Sequence, residues 1–233
     1  MRKDYHHLDF SEVDIKLREG TGRLLAMMPE RLSRDAAAML AKKKVDVRRE
    51  TMVTGYDGHT LMLRDGGEIK TQTVIWAAGV KAASVAAALD ADYDRAGRIV
   101  VNRDLSVRGL PRVYAIGDNA SFEMEPGARP LATVAPVAMK EGICCARNIL
   151  REVRGEATEP FVYKDMGAMA TIGRSSAVLS VGKIHAEGFL AWSVWLWVHL
   201  LRLAGTYANV TVALKWLLNY FNNARLGRII VER

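Results

Sequence analysis

The stretch Val113-Tyr114-Ala115-Ile116-Gly117-Asp118 constrains the fold of this chain more than any other. Four apolar residues run into a glycine and then a carboxylate. An apolar strand that stops at Gly-Asp brings backbone close to a ligand and then offers it an acceptor. The same order is a plain turn signal, because glycine and aspartate both favour turns. Taken alone, the stretch leaves both readings open, and the rest of the chain has to decide.

With 233 residues, half of them hydrophobic and a quarter charged, the chain can bury a substantial core. Its formal net charge of +7 suits an anionic partner, either nucleic acid or a lipid headgroup layer. Nothing further supports nucleic acid: there is no zinc-finger spacing, no basic helix with base-reading polar residues and no RNP-like aromatic pair. The two cysteines, Cys144 and Cys145, are adjacent in a segment that reads helical. Helical neighbours diverge, so buried thiols in a reducing compartment are expected rather than a disulfide. Met1 to His7 holds no apolar signal-peptide core, and His6-His7 reads as surface.

Val13, Ile15 and Leu17 alternate with polar residues, which predicts a strand ending at Glu19. Gly20-Thr21-Gly22 has two glycines of a dinucleotide fingerprint, but Leu25 stands where the third belongs, so it is rejected as a phosphate loop. Ser33 is the expected N-cap of an amphipathic helix ending at Lys42-Lys43-Lys44. Val45 and Val47 open the next strand. A β-meander is then predicted over 48–54, 60–63 and 68–76, and its last strand, Thr73 to Trp76, runs into Ala77-Ala78-Gly79. Small residues at the carboxyl end of a strand are where ligands sit in open α/β sheets. A short helical stretch over 82–89 and short strands at 99–101 and 105–107 lead to the opening stretch. Pro136 opens a helix to Val153 whose expected buried face is Ala138, Gly142, Cys145 and Ile149. Small-residue strands follow at 167–173 and 177–181.

The last fifth differs in character. Residues 188–203 are almost all apolar, yet as a helix they span roughly 24 Å, short of the roughly 30 Å of a bilayer core. A second helix, amphipathic, is expected from Val210 to Asn222, with Thr211, Lys215, Asn219 and Asn222 as its polar stripe. From Lys183 on, six basic residues (Lys183, Arg202, Lys215, Arg225, Arg228 and Arg233) face only Glu187 and Glu232, and four of the five tryptophans lie here. Apolar helices with indoles and flanking arginines fit a membrane-surface anchor. A buried helical hairpin in a homodimer is the alternative.

Strand-Ala-Ala-Gly, then strand-Ile-Gly-Asp, then a proline-opened helix is a coherent ligand-binding order. Asp118 can accept hydrogen bonds from sugar-alcohol hydroxyls, Gly117 lets the chain come near, and the helix aims unpaired N–H groups at what lies in front. Val74 to Val80, Val113 to Asp118, Ala135 to Ala138 and Gly167 to Gly173, in that order, closely resemble the type II NADH dehydrogenases, as does the tail from Gly188 to Trp192. The resemblance covers almost the whole chain from about Val13.

It implies an α/β fold, part of a two-dinucleotide-binding architecture of Rossmann-like (ββα) type, with C-terminal membrane-surface helices. It also implies FAD and NAD as cofactors and a quinone as electron acceptor. The expected divisions are 1–83 for the NADH-binding domain, 84–185 for the FAD-binding domain and 186–233 for the anchor. Both Gly-rich fingerprints of the family lie upstream of these residues, so the chain is expected to be the C-terminal portion, able to meet an N-terminal half or a homodimer partner, on the cytoplasmic face of the cell membrane.

By the same resemblance Glu19 matches the acidic contact to the NADH ribose, opposing a 2′-phosphate by charge, and Ala77, Ala78 and Gly79 match the segment near the nicotinamide. Gly117 and Asp118 match the FAD ribityl contact, and Ala135, Pro136, Val137 and Ala138 match the backbone facing the isoalloxazine and the quinone tunnel. Many members carry glutamines where this chain has Pro136, Lys140 and Glu141, which leaves Lys140 and Glu141 as quinone-side candidates. Glu141 either relays a proton or is a solvated helix carboxylate paired with Lys140. No side chain is expected to act as a covalent catalyst. The alternatives are another flavin-dependent NAD(P)H reductase of the superfamily and a non-catalytic membrane-associated chain. A sulfide-oxidising enzyme would need spaced redox cysteines, which Cys144-Cys145 do not supply.

Overall fold

The computed structural model describes Asp9 and residues 13–203 and 205–222. The expectations for His6-His7 and for Arg225, Arg228 and Arg233 lie outside the described residues. The described residues of Met1–Val74 and Met166–Arg233 make one compact unit, and Ile75–Asp165 make a second.

The first unit opens with strand β1 (Ile15–Arg18), helix α1 (Glu30–Lys42) and strand β2 (Val45–Arg48), with β1 and β2 paired in parallel. Arg18 crosses this pair, donating from Nη2 to Asp46 Oδ2 at 2.8 Å. Helix α1 starts earlier than the Ser33 cap predicts. Pro29 stands directly before it at φ −52°, and Glu30 places a carboxylate at its positive end. Ser33 sits one turn inside, buried, donating from Oγ to the Leu24 carbonyl at 2.6 Å.

The meander forms as β3 (Val53–Tyr56), β4 (Thr60–Leu63) and β5 (Glu68–Lys70), all antiparallel. Its first strand does not continue from Arg48, because Glu50 takes a left-handed φ of 53° and breaks the extended run. The strand expected at Thr73 to Trp76 is also absent. Among the described residues no strand lies alongside to pair its N–H and C=O groups, and Ile75 is left 87% exposed.

In the second unit β6 (Ile99–Val100) pairs in parallel with β7 (Ala120–Ser121), and the helix expected over 82–89 is a single 3₁₀ turn, Ser84–Ala88. The opening stretch is extended but not a strand. Only Tyr114 bridges, to Ser106, before the chain turns at Gly117–Asn119. Its core gathers Ile99, Val101, Leu105, Val107, Ala115 and Phe122, with Phe122 edge-on to Phe161 at 5.2 Å.

Helix α2 (Ala135–Val153) carries Pro136 in its first turn. It buries Val137, Glu141, Cys145 and Asn148, so only Cys145 of the expected face is fully buried. Two polar side chains turn inward because partners wait for them. Asn148 Nδ2 donates to the carbonyls of Asp104 (3.0 Å) and Glu159 (2.9 Å), and its Oδ1 accepts from the Glu159 N–H at 2.9 Å.

The first unit resumes with an antiparallel sheet of β8 (Ala168–Gly173), β9 (Ser176–Val181) and β10 (Ile184–Glu187), β9 in the middle. Alternation along β9 sends Val178 toward Leu32 and Ala36 of α1, and Ala177 and Leu179 toward Ala191 of helix α3 (Gly188–Leu201). Helix α4 (Thr206–Asn222) starts a turn earlier than expected, and Trp195 of α3 stacks with Trp216 of α4 at 6.4 Å. The outer side of α3 is bare: Phe189, Leu190, Trp197 and Leu201 are exposed. Among the described residues no helix is long and apolar enough to cross a membrane.

Leu32 is the largest fully buried side chain between α1 and β9. Leu32→Ala is expected to cost about 2–5 kcal/mol in denaturant unfolding, whereas exposed Leu201→Ala stays within about 0.5 kcal/mol. Equal effects would mean that this core is not packed as described.

Candidate functional site

A tight crevice in the second unit, without room for a water molecule, is lined by Gly117, Asp118, Ala120, residues 131–134, Val137, Ala138 and Glu141. The sequence positions the turn at its floor. Ile116 is extended (φ −142°, ψ 164°), Gly117 takes φ +63°, and a single 3₁₀ turn carries the chain to Asn119. A side chain at Gly117 would be strained and would bring its Cβ to 3.3 Å from the Ala138 Cβ. Ala138 therefore sets how near α2 comes, and Gly142, facing Ile116, continues that small-residue face. Asp118 lies exposed at the turn. The N–H groups of Val137 and Ala138 both reach back to the Val134 carbonyl, at 3.0 and 3.2 Å.

Glu141 is 2% exposed, and its Oε2 accepts the Gly117 N–H at 2.6 Å. Burial pushes its carboxyl above the usual range; the Gly117 N–H and the charge of Arg98 pull the other way, and Asp118 adds to the rise. Arg98 is held in turn by Asp94 (Nε to Oδ2, 2.7 Å) and by the Leu131 carbonyl (3.2 Å). The solvated pairing of Glu141 with Lys140 does not form. Residues adjacent on a helix diverge, and the Lys140 ammonium lies over the Tyr163 ring, 5.1 Å from its centroid.

The structure thus gathers Gly117, Asp118, Val137, Ala138 and Glu141 around one crevice, with Ala135 and Pro136 in the first turn of the helix beside it. Ala77, Ala78 and Gly79 belong to the same unit and are exposed, Gly79 at φ +101°. Shortly after them, the Ala83 N–H donates to Asn119 Oδ1 at 2.8 Å and ties that segment to the turn. Glu19 lies in the other unit at the end of β1, where its Oε1 accepts from both the N–H and the Oγ1 of Thr21, each at 2.8 Å. A polar cleft of about 440 Å³ opens there at the carboxyl ends of β1 and β2, lined among others by Gly22, Arg48, Arg49, Glu50 and Asp65. Cys144 and Cys145 are free, and burial raises both thiols.

Sequence reasoning missed Thr21, Asn119 and the Asp94–Arg98 pair. The spacing of an acceptor four residues before an arginine across Ala96-Gly97 was the available signal for the last.

The model of the pyridine nucleotide-disulphide oxidoreductase family matches residues 8–142. The chain belongs to that family. Among similar proteins, the type II NADH:quinone oxidoreductase Ndh of Mycobacterium tuberculosis is 33% identical, covering 95% of this chain and 49% of that protein. The internal alternative NAD(P)H-ubiquinone oxidoreductase A1 of Arabidopsis mitochondria is 31% identical, covering 98% and 48%. The chain therefore spans about half the length of these relatives. Among solved structures, NDH2 from Plasmodium falciparum in complex with NADH superposes with a TM-score of 0.82 at 15% identity, covering 95% of this chain and 60% of that one. The expected α/β, Rossmann-like fold is thereby borne out.

The raised carboxyl of Glu141 means that the folded protein holds this proton more tightly than the unfolded chain. Its ionisation then costs stability, fully at pH above the raised value and not at all below the ordinary value of 4.5. Glu141→Gln is expected to be more stable than the wild type at neutral pH, with the advantage shrinking as pH falls toward 4.5. Denaturant unfolding across that range checks it, and a pH-independent difference would contradict the assignment.

Proposed function

We propose that these residues belong to an FAD-dependent NADH:quinone oxidoreductase, which takes a hydride from NADH and delivers electrons to a membrane quinone. The observation that carries the reading is the junction where an exposed Asp118, a glycine turn and the first turn of α2 meet. The donor set fits a flavin nucleotide. Asp118 is an acceptor for polyol hydroxyls, Gly117 leaves backbone approachable, and the start of a 19-residue helix favours negative charge. The names of the relatives at 33% and 31% identity support the same chemistry.

When bound, the flavin supplies two-electron acceptance and its release to a quinone. The chain's own residues bind and orient. Gly117 and Asp118 hold the polyol, and Ala135 to Ala138 present backbone and small side chains to the ring. Ala77 to Gly79 approach the nicotinamide side. In the NADH-binding part Glu19, fixed by Thr21, accepts from ribose hydroxyls and repels a 2′-phosphate. Lys140 is the side chain toward the quinone side, while Glu141 is buried behind the Gly117 turn. On this reading 1–83 is the NADH-binding part, 84–185 the FAD-binding part and 186–233 a peripheral membrane contact on the cytoplasmic face, with a complementary half or a second copy as partner.

Within these 233 residues no Gly-x-Gly-x-x-Gly loop supports either dinucleotide's phosphates. The purified chain is accordingly expected to hold far less than one FAD per molecule. Co-expressed with a half bearing both loops, taken from the Mycobacterium tuberculosis relative, it should bind FAD and oxidise NADH with a short-chain quinone. Flavin reduction by NADH without quinone turnover would point to another reductase of the family, and no flavin binding in any combination would sink the reading.

Trp197 and Leu201 are 64% and 70% exposed on the bare side of α3. Trp197→Glu with Leu201→Glu is expected to abolish co-sedimentation with anionic vesicles while leaving the fold intact. Unchanged binding would exclude α3 as the membrane contact.

A further inference from the structure

We infer that Glu141 is a positioning residue, which braces the Gly117 N–H from inside helix α2 and so sets Asp118 in place for the hydroxyls of a bound polyol chain. The ligand half of this statement rests on the FAD reading above; the brace itself does not.

The turn has a donor that the backbone cannot satisfy. Gly117 opens a 3₁₀ turn, where the first N–H groups have no partner within the turn itself, and its φ of +63° ends the extended run before it. That N–H meets a carboxylate 24 positions further along the chain, at 2.6 Å. The other end of the turn is fixed by the Ala83 N–H on Asn119 Oδ1, and the Ala120 N–H closes on the Gly117 carbonyl. Asp118 is thus the exposed residue between two anchored ones. The brace reaches because Ala138 and Gly142, three residues before Glu141 and one after it, keep the helix close to residues 116 and 117.

The choice of a carboxylate is the informative part. An apolar side chain of similar size would suit a buried position better than an ionisable one with a raised carboxyl. The charged groups that act on it are Arg98, which favours the ionised form, and Asp118, which opposes it, while Lys140 on its own helix is turned to Tyr163. A residue kept only for packing would not be ionisable. One kept as an acceptor for Gly117 must carry an oxygen at this place.

Glu141→Leu relieves the buried carboxyl but strips the Gly117 N–H of its acceptor, two opposed effects on stability, and is expected to weaken FAD at least tenfold in the complemented, flavin-binding protein. Glu141→Gln, whose amide oxygen still accepts, keeps FAD affinity within about threefold. In the chain alone, NMR should find the Gly117 amide shifted downfield and moving with pH through the Glu141 titration. It should stay downfield but pH-insensitive in Glu141→Gln, and be lost in Glu141→Leu. If Glu141→Leu does not fold, Glu141→Asp withdraws the oxygen by one methylene and is expected to show the same loss of affinity.

A pH-insensitive Gly117 amide in the wild type, or wild-type FAD affinity in a folded Glu141→Leu, overturns the inference. Failure of every complemented protein to bind FAD refutes the functional reading instead, and the amide measurements on the chain alone then decide the brace.

Discussion

A glycine that turns the chain through the left-handed region points its N–H into protein, and the protein must supply an acceptor. Here the acceptor is the Glu141 carboxylate, and it reaches Gly117 because Ala138 places no bulk between α2 and the turn. The constraint is mutual. Gly117 needs a small neighbour at Ala138, the carboxylate needs the resulting closeness, and Asp118 takes its position from both. A methyl group added at Gly117 would be strained at φ +63° and would press on the Ala138 Cβ at 3.3 Å. Arg98, anchored by Asp94 and the Leu131 carbonyl, supplies the positive charge that partly offsets the burial of Glu141.

The first unit solves a different problem with the same currency of small residues. Strand β9 is buried on both faces, Val178 toward α1 and Ala177 and Leu179 toward α3. Ala191 is the fully buried residue of α3, so a short side chain lets the helix lie close on the sheet. The bulky residues Phe189, Leu190, Trp197 and Leu201 are left outward. A water-facing helix normally shows the reverse, polar outward and apolar inward. An exposed apolar face with indoles is where a lipid surface would contribute, which is why the membrane proposal attaches to α3 rather than to the basic residues alone.

Much of the fold was legible from local pattern. Period-two alternation located β1 and β2, turn residues located most of the meander, and Pro136 located the start of α2 within a residue. Thr73 to Trp76 has strand composition but, among the described residues, no strand beside it, and Val113 to Ile116 pairs with residues 105–107 through a single bridge; composition does not carry the neighbour. Ser33 is a good cap by type, yet Pro29 and Glu30 start the helix a turn earlier. The face of α2 was misjudged because a hydrophobic count assigns Glu141 and Asn148 to solvent. Each is buried by a partner distant in sequence, Gly117 for one and Asp104 with Glu159 for the other.

The candidate site was legible in its glycines and alanines and illegible in its electrostatics, and that division has a physical origin. Where a cofactor carries the electrons, the protein contributes shape, backbone donors and a few acceptors. Shape and close approach are written in residues that lack side chains, so Gly79, Gly117, Ala135 and Ala138 announce themselves by type. An acceptor is written in a residue that is equally common on any surface, so neither Glu141 nor Glu19 can be weighed until its surroundings are known. Glu19 turns out to be held by Thr21 within its own loop, a local contact that leaves it half-buried. Glu141 turns out to be buried by a contact across the unit. Two glutamates with the same reference chemistry therefore acquire different tasks: one stays a half-buried acceptor tied to its own loop, while the other holds a turn at the expense of its own hydration.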